Sequence, residues 1–568
     1  MKVTTYIAKF LKSKKIDTVF ELQGGMITRI IDELHREGGI NIVSMHHEQA
    51  AALAADAYGR VKNISGVALA TSGPGATNLI TGIGNCYFDS VPAIFITGQV
   101  NLNEQKGDRP IRQLGFQETD IVSIVKPITK AAYAVIKAED IPNILEEAYN
   151  ISMQGRPGPV LIDIPMNLQN EDCKDFEDMP KNIINGQIGS DDMFGFIEKL
   201  KFELSVAQKP LLLLGRGVRI ANIVPEVRKL VDKLNIPVVM SLNGIDVIPY
   251  DNFNRVGFIG SYGNRWANYA LGVCDCLLVL GSRLDLRQTG ADIDTFNRGK
   301  KIFHIDIEQG ELNNRIPTFA SLNTDLKSFI QAMVNVGIDT LEKTEWMNEI
   351  KNQRAKRDDS MELSSIEGIN PNKFFHLLSQ KSSMAYAYTT DVGNNQMWAA
   401  QSIEINNEQL FLSSGGMGAM GYSLPAAIGA CFALNKQPIV CISGDGGFQI
   451  NIQELQTIKR NNLPIKIIIL NNNCLGMIRQ FQDSYFDSQY ASTVWGYSAP
   501  DFVAVANAYG IKSMRIDDSE QMGNAIEKLW ENPNEPFLLD VQIDIHTNVY
   551  PKMLFGKPLT EMEGEMID

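Results

Sequence analysis

Long apolar runs are missing from this chain. No stretch of about twenty apolar residues occurs, so nothing in it is expected to span a membrane. Positive charge is in deficit. The 568 residues hold 52 Lys and Arg against 66 Asp and Glu, a net charge of −14, which excludes a general nucleic-acid surface. Cysteine is sparse and unpatterned: seven residues lie scattered in apolar contexts such as NCYFD and GVCDCLLVLG. An odd, scattered set reads as reduced thiols and a cytoplasmic protein. Cys274 and Cys276 stand close together, but no second Cys/His pair is spaced to complete a zinc site. The six histidines form no Ser/His/Asp or Cys/His pattern of nucleophilic catalysis. The opening stretch MKVTTYIAKFLKSKKIDTVF lacks the apolar core and cleavage site of a signal peptide. No internal repeat of 20–50 residues or low-complexity tract stands out, at roughly the periods that mark repeat folds.

What is present is ordinary globular composition, 44% hydrophobic with 46 glycines, in a length that suggests about three domains. A short β-branched run, a glycine-rich turn and a helical pattern recur in that order. Examples are ISGVALATSGPGATNLITGIGNCY, KPLLLLGRGVRIANIVPEVRKLVDKL and QPIVCISGDGGFQINIQELQTIKR. Alternating strands and helices predict an α/β chain of doubly wound parallel sheets, with ligands at the carboxyl ends of the strands. A polar, acidic stretch near 167–190 and a charged one near 338–370 read as linkers. They divide the chain into blocks at 1–166, 190–337 and 370–546, followed by an irregular tail at 547–568 that is expected to wrap over another part of the molecule.

The chemistry concentrates in CISGDGGFQINIQELQTIKRNNLPIKIIILNNNCLGM, residues 441–477. The strand PIVCIS breaks into Gly444-Asp445-Gly446-Gly447 and then a helical pattern. Glycines let a phosphate approach the backbone, and a helix start offers free N–H groups. An aspartate beside a phosphate would repel it unless a divalent cation lay between them. The next strand, IKIIIL, ends at Asn471-Asn472-Asn473, whose amide and carbonyl oxygens are hard ligands suited to Mg²⁺ or Ca²⁺. Two adjacent strand ends of this kind describe a Mg²⁺–diphosphate site.

Gly-Asp-Gly followed about thirty residues later by Asn-Asn resembles the thiamine diphosphate signature. Further segments carry the likeness across almost the whole chain. FELQGG, HHEQAAALAADAYGR, TSGPGATNLITGI, VPAIFITGQV and FQETDIVSIVKPITK resemble, in order, the pyrimidine-binding domain of the acetohydroxyacid (acetolactate) synthase group. GSYGNRWANYALGVCDCLLVLGSRLDLRQTG resembles its central domain, and DVGNNQMWAAQ and SSGGMGAMGYSLPAAIGA its diphosphate-binding domain. The resemblance implies thiamine diphosphate and Mg²⁺ as cofactors. Asp445, the Asn472 side chain and the Cys474 main-chain carbonyl would hold the metal. Gly446 and Gly447, with Gly393, Asn394, Asn395 and Met477, would contact the coenzyme. Glu48 would hydrogen-bond its aminopyrimidine and activate it. The Gly418 carbonyl would accept its 4′-amino group, and Met420 would bend it. Gln23, Gln99, Phe116 and Gln117 match positions lining the family's active site, where a phenylalanine can wall off water. His46 and His47 flank Glu48 and are candidates for a proton-transfer role.

The implied reaction is decarboxylation of pyruvate and transfer of the acetyl unit to an acceptor carbonyl, with active sites at the interface of a homodimer or homotetramer. Three departures from the family pattern stand out. Glu21-Leu22-Gln23 replaces Gly-Tyr-Pro before Gly24-Gly25. Asn394-Asn395 replaces Gln-His. Phe481 stands where acetohydroxyacid synthases carry the tryptophan that selects a small 2-ketoacid acceptor. Replacing indole by phenyl frees volume and removes an N–H. A bulkier acceptor, such as a keto-deoxysugar nucleotide, is therefore the leading expectation, with acetolactate synthesis from pyruvate or 2-ketobutyrate as the alternative and a plain 2-ketoacid decarboxylase or oxidase behind both. Retention of Glu48, Asp445 and Asn472 speaks against a non-catalytic regulator. The family's FAD, bound in the central domain, has candidate contacts in Arg283 and Arg287, which read equally well as exposed arginines on a dinucleotide-type scaffold.

Overall fold

Runs such as Pro159–Pro165 and Ile465–Asn471 are mostly apolar, interrupted only by Asp163 in the first and by Lys466 and the terminal Asn471 in the second. Such strands suit parallel sheets covered on both faces, and both of these are buried throughout. The computed structural model, which describes residues 1–175, 191–337 and 340–564, places them in three six-stranded parallel sheets with helices on both sides. The first sheet contains β1 (Thr18–Leu22), β2 (Asn41–Ser44), β3 (Gly66–Ala70), β4 (Ala93–Gln99), β5 (Ala131–Ala134) and β6 (Pro159–Pro165), in the order β2-β1-β3-β4-β6-β5. The second contains β7 (Pro210–Leu214), β8 (Val238–Met240), β9 (Arg255–Phe258), β10 (Cys276–Leu280), β11 (Lys301–Asp306) and β12 (Ala320–Asn323), ordered β12-β11-β10-β7-β8-β9. Read from the other edge, this is the dinucleotide-fold order 3-2-1-4-5-6, with its switch point between β7 and β10. The third contains β13 (Ala387–Thr390), β14 (Leu410–Ser413), β15 (Ile439–Gly444), β16 (Ile465–Asn471), β17 (Lys512–Ile516) and β18 (Phe537–Gln542), ordered β14-β13-β15-β16-β18-β17. First and third sheets share one strand order, a duplication that no repeat in the sequence announces.

The three sheets share their apolar layers. One cluster joins the alanine-rich helix Glu48–Lys62 to the helix Ser423–Ala433 and to β16. These two helices touch backbone to backbone: a Cβ on Gly429 would lie 2.0 Å from the Ala54 carbonyl oxygen. Only small residues permit that approach, which is why the sequence there reads EQAAALAAD against LPAAIGACFA. Another cluster runs from Leu212 and Phe303 of the second sheet to Trp398 and Leu539 of the third.

Within the charged 338–370 stretch, Thr344–Lys356 forms a helix that the linker reading did not anticipate. Trp346, Met347 and Ile350 bury one side of it, and the Trp346 indole donates to the Pro210 carbonyl at 3.0 Å. The long helical pattern after Gly444 is likewise divided, into Asp445–Ile450, a 3₁₀ turn at Ile452–Glu454 and Leu455–Asn461. The tail packs back on the second domain: Leu559 is buried there, and Lys552–Met553 pairs with Met562–Glu563. The acidic 167–190 stretch lies largely outside the described residues. Among those described, no helix is long and apolar enough to cross a membrane.

Candidate active site

The switch point of the third sheet lies between β13 and β15. Their ends carry Asp391–Gly393 and Gly444–Asp445, and β15 pairs with β16 so that Gly444 lies opposite Leu470. This pairing sets Asp445 beside Asn472. The Asn472 side-chain oxygen faces the Cys474 carbonyl oxygen at 2.9 Å and Asp445 Oδ1 at 3.2 Å. What the fold fixes is a carboxylate oxygen and a carbonyl oxygen converging on one end of the Asn472 amide. The contact is satisfied either by turning the amide nitrogen inward or by a cation among the oxygens, and one carboxylate, one amide and one carbonyl form a hard donor set. No cluster of three His, Cys, Asp or Glu side chains fit to hold a metal exists among the described residues. The Cys474 thiol is buried and pushed up to about 11, so at neutral pH the residue offers its carbonyl and not a thiolate. Burial also raises Asp445 to about 7, while the Tyr497 hydroxyl donates to its Oδ2 at 2.9 Å.

A ligand-shaped deficit adjoins these oxygens. The Asn394 amide is buried, and neither its nitrogen nor its oxygen has a partner among the described residues. It faces Gly476, where a Cβ would lie 2.7 Å from Asn394 Nδ2 and 2.6 Å from Asn472 Nδ2. Asn395 instead donates to the Asp391 carbonyl at 2.8 Å and shapes the turn. An unspent amide donor beside the Asp445 carboxylate, the Cys474 carbonyl and the Asn472 amide fits a diphosphate with its Mg²⁺. Met420 closes one side, its methyl 3.6 Å from a Cβ built on Gly446, and Gly418 takes φ +67° with open space before it. Gly447 faces the Asp391 carboxylate. Met477 packs partly buried against the core.

In the first sheet, Glu48 opens its helix and is buried. Its Oε2 accepts from Asn78 at 2.9 Å, and its Oε1 lies 3.3 Å from a Cβ built on Gly75. Gln117 sits against Gly73 of the same Ser72-Gly73-Pro74-Gly75 turn, so one turn brings Glu48 and Gln117 to neighbouring places. Phe116 is 81% exposed beside them. Gln23 is exposed, and its side-chain amide donates to the Thr28 hydroxyl at 3.4 Å. Gln99 is different. It is buried, donates to the Thr119 carbonyl at 2.8 Å and to Asp163 at 2.9 Å, and accepts from the Val100 N–H. Its amide is committed to anchoring the loop that carries Gln117, which makes it a support and not a lining residue. The histidines are committed as well. His47 Nδ1 caps the Glu48 helix by accepting from the Gln49 N–H. The His46 N–H donates to buried Glu454, and its ring meets Thr457 at 3.1 Å.

Phe481 lies on the helix Gly476–Tyr485, half exposed, with its ring 4.8 Å from Tyr485 and 5.6 Å from Phe486. The opposite face is fastened to the tail, where Gln480 exchanges two hydrogen bonds with Val549. Sequence reasoning missed Tyr497, Asn78, Glu454 and Asp391. Asp391 accepts from the N–H groups of Val392, Gly421 and Ser423 and is raised to about 6 by burial. Each is an ordinary polar residue whose role depends on a partner far away in sequence; Asn78, Asp391 and Glu454 stood inside quoted motifs without being singled out, and Tyr497 stood in none.

Over the switch point of the second sheet lies a cavity of about 380 Å³, reaching the other two domains. Arg216, Ser282, Arg283, Arg287, Tyr262 and Asp306 are among its lining residues. Arg283 is paired to Asp285 at 2.9 Å. Arg216 is half-buried, and its Nε, shut off from solvent, has no partner among the described residues.

Three family models match in register with the three sheets. The thiamine pyrophosphate enzyme N-terminal TPP binding domain matches residues 1–124, the central domain 197–333 and the C-terminal TPP binding domain 391–541. The chain is 35% identical to the acetolactate synthase isozyme 2 large subunit of Escherichia coli (strain K12) over 567 residues, 99% of each chain. It is 38% identical to the acetolactate synthase large subunit of Cyanidium caldarium, covering 98% of this chain and 95% of that one. The corresponding Lactococcus lactis protein is 33% identical, with 98% and 95% covered.

Proposed function

The chain belongs to the thiamine pyrophosphate enzymes of the acetolactate synthase group, and we propose that it is a carboligase moving the two-carbon unit of pyruvate onto the carbonyl of a second 2-ketoacid. The convergence of Asp445, Asn472 and the Cys474 carbonyl beside the unspent Asn394 amide carries this reading. The names of the relatives favour a 2-ketoacid over a keto sugar as acceptor. When bound, the coenzyme supplies the nucleophilic carbon and the electron sink for loss of CO₂. Asp445, Asn472 and the Cys474 carbonyl would hold Mg²⁺, while Gly393, Asn394, Asn395, Gly446 and Gly447 would face the diphosphate. Met420, Met477 and the Gly418 carbonyl would orient the rest. Glu48, fixed by Asn78, would hydrogen-bond the aminopyrimidine and govern its proton. Gln117 and Gln23 would meet polar substrate atoms, and Phe116 would exclude water.

Phe116 is too exposed here to wall off anything by itself. That supports a homodimer or homotetramer in which a second copy covers the site. The central cavity, with Arg216 and Arg287 in its lining, suits an anionic dinucleotide, and FAD is the cofactor we assign to it. A yellow protein whose chromophore is released on denaturation supports this, and a colourless, fully active one refutes it. We place the enzyme in the cytoplasm on its scattered free thiols.

The experiment is product analysis from labelled pyruvate with thiamine diphosphate and Mg²⁺. Acetolactate from pyruvate alone, or its homologue with 2-ketobutyrate, is the expected product. Phe481 favours one second reading, a bulkier carbonyl acceptor such as a keto-deoxysugar nucleotide. Carboligation that appears only when such an acceptor is added would establish it. Phe481→Trp is expected to shift the preference toward the small ketoacid by about tenfold, in the range of one altered pocket contact.

A further inference from the structure

The loop Ser413–Tyr422, which carries Gly418 and Met420, has no secondary structure of its own over most of its length. It hangs between two buried carboxylates. Its far end is held by Asp391, which accepts from Gly421 at 2.9 Å and Ser423 at 3.1 Å. Its near end is held from the first domain, over three hundred residues away in sequence. Asp89 accepts from the N–H of Gly415 at 3.0 Å and of Gly416 at 2.7 Å. The approach is close: a Cβ on Gly416 would lie 2.8 Å from Phe88 Cβ and 3.1 Å from Asp89 Oδ1, and one on Gly415 2.3 Å from Asn243 Nδ2. Asp89 is in turn gripped by Arg60, Nη2 to Oδ2 at 2.8 Å, and the same guanidinium donates to the Ser413 carbonyl at 3.0 Å and doubly to Asp56. Asp56 also accepts from Asn85 and Tyr422, and the Ser414 hydroxyl links Asn85 Oδ1 at 2.6 Å to the Ala419 N–H at 2.9 Å. The Asp56, Asn85, Asp89, Arg60 and Ser414 side chains are buried, so water cannot readily replace a partner lost among them, while Gly415 is half-buried and Gly416 exposed at the cavity edge.

Resting on the thiamine diphosphate reading above, we propose that Asp89, held by Arg60, is a positioning residue that sets the coenzyme loop Ser413–Tyr422 from the first domain. The carboxylate offers two oxygens to two consecutive loop N–H groups and still accepts from Arg60. Burial opposes its charge, but Arg60 and the two loop N–H groups hold it below the ordinary carboxylate range. An asparagine of the same shape has one acceptor, so one loop N–H or the arginine goes unpaired, and Gly418 and Met420 lose their fixed height over the diphosphate site.

The test is titration of thiamine diphosphate into the full-length protein at saturating Mg²⁺, by calorimetry and by activity. Asp89→Asn is expected to raise the half-saturating coenzyme concentration about tenfold, as loss of a charge-assisted hydrogen bond does. The pyruvate KM at saturating coenzyme should stay within about twofold of wild type, because uniform substrate binding is untouched. A folded Asp89→Asn protein with wild-type coenzyme dependence overturns the proposal. Should that variant fail to fold, Ser414→Ala removes the Asn85-to-Ala419 tether without stranding a charge. It should raise the same concentration about threefold, in keeping with a neutral hydrogen bond, and wild-type dependence there also overturns the proposal. Wild-type protein that binds no coenzyme would instead sink the functional reading. Normal wild-type binding with unaltered variants sinks only the positioning role.

Discussion

The first and third sheets have the same strand order and the same switch point, yet they end in opposite chemistry. Between β1 and β3 the crevice is shut by contact, since a Cβ on Gly24 would lie 2.5 Å from Thr71 Cβ. What the first domain presents is a buried acid, Glu48, at a helix start, braced by Asn78 and faced with glycine. Between β13 and β15 the crevice holds converging oxygens and an unsatisfied amide. In the proposed function one scaffold would serve a proton, the other a cation and its anion. The residues at the strand ends decide which, because the sheets beneath are interchangeable apolar layers.

The sharpest way to break this comparison is Glu48→Gln. It should lower pyruvate-dependent CO₂ release by about 10²–10⁴-fold, the range of a positioned proton-transfer group, while thiamine diphosphate and Mg²⁺ still bind in calorimetry. Full activity would show that the first domain is only a scaffold. Asp445→Asn attacks the other half. Loss of an outer-shell partner already costs about 10–100-fold in metal affinity, so loss of this ligand should weaken Mg²⁺ at least that much, and excess Mg²⁺ should recover part of the activity. Unchanged Mg²⁺ dependence would remove Asp445 from the metal site.

The smallest effect sharpens the contrast within the first domain. Asp163 on β6 accepts from the Thr97 hydroxyl at 2.6 Å and from Gln99, and burial raises it to about 7. A carboxyl raised in the folded state contributes stability that is complete below its unfolded value and lost as pH rises through about 7. Wild-type Tm should therefore fall by a few degrees from pH 5 to pH 8 relative to Asp163→Asn, which mimics the protonated acid. Parallel Tm profiles for the two proteins would refute the assignment.

Local spacing carried much of the site. Asp445, Asn472 and Cys474 lie at the ends of consecutive strands, and in a βαβ unit consecutive strands pair, so their meeting could be read from the chain. Glu48 was visible because a helix start follows an apolar run. Gln99 illustrates the limit: a polar residue at a strand end reads as lining, and only its partners Thr119 and Asp163 show that its amide is spent. His46 and His47 are the same case, since neither cap nor domain contact has a sequence period.

The sequence by itself determined the α/β class, the strand runs, the glycine turns and the meeting of Asp445 with Asn472, all of which follow from spacing over a few tens of residues. Tertiary structure alone decided that the first and third sheets share an order, that a cavity opens where three domains meet, and that Asp89 and Arg60 grip a loop beyond residue 412. The physical reason is that periodicity records which face of an element is buried but not which distant surface covers it. Those choices are made by close backbone approaches, such as Ala54 against Gly429, that become specific only once the sheets are stacked.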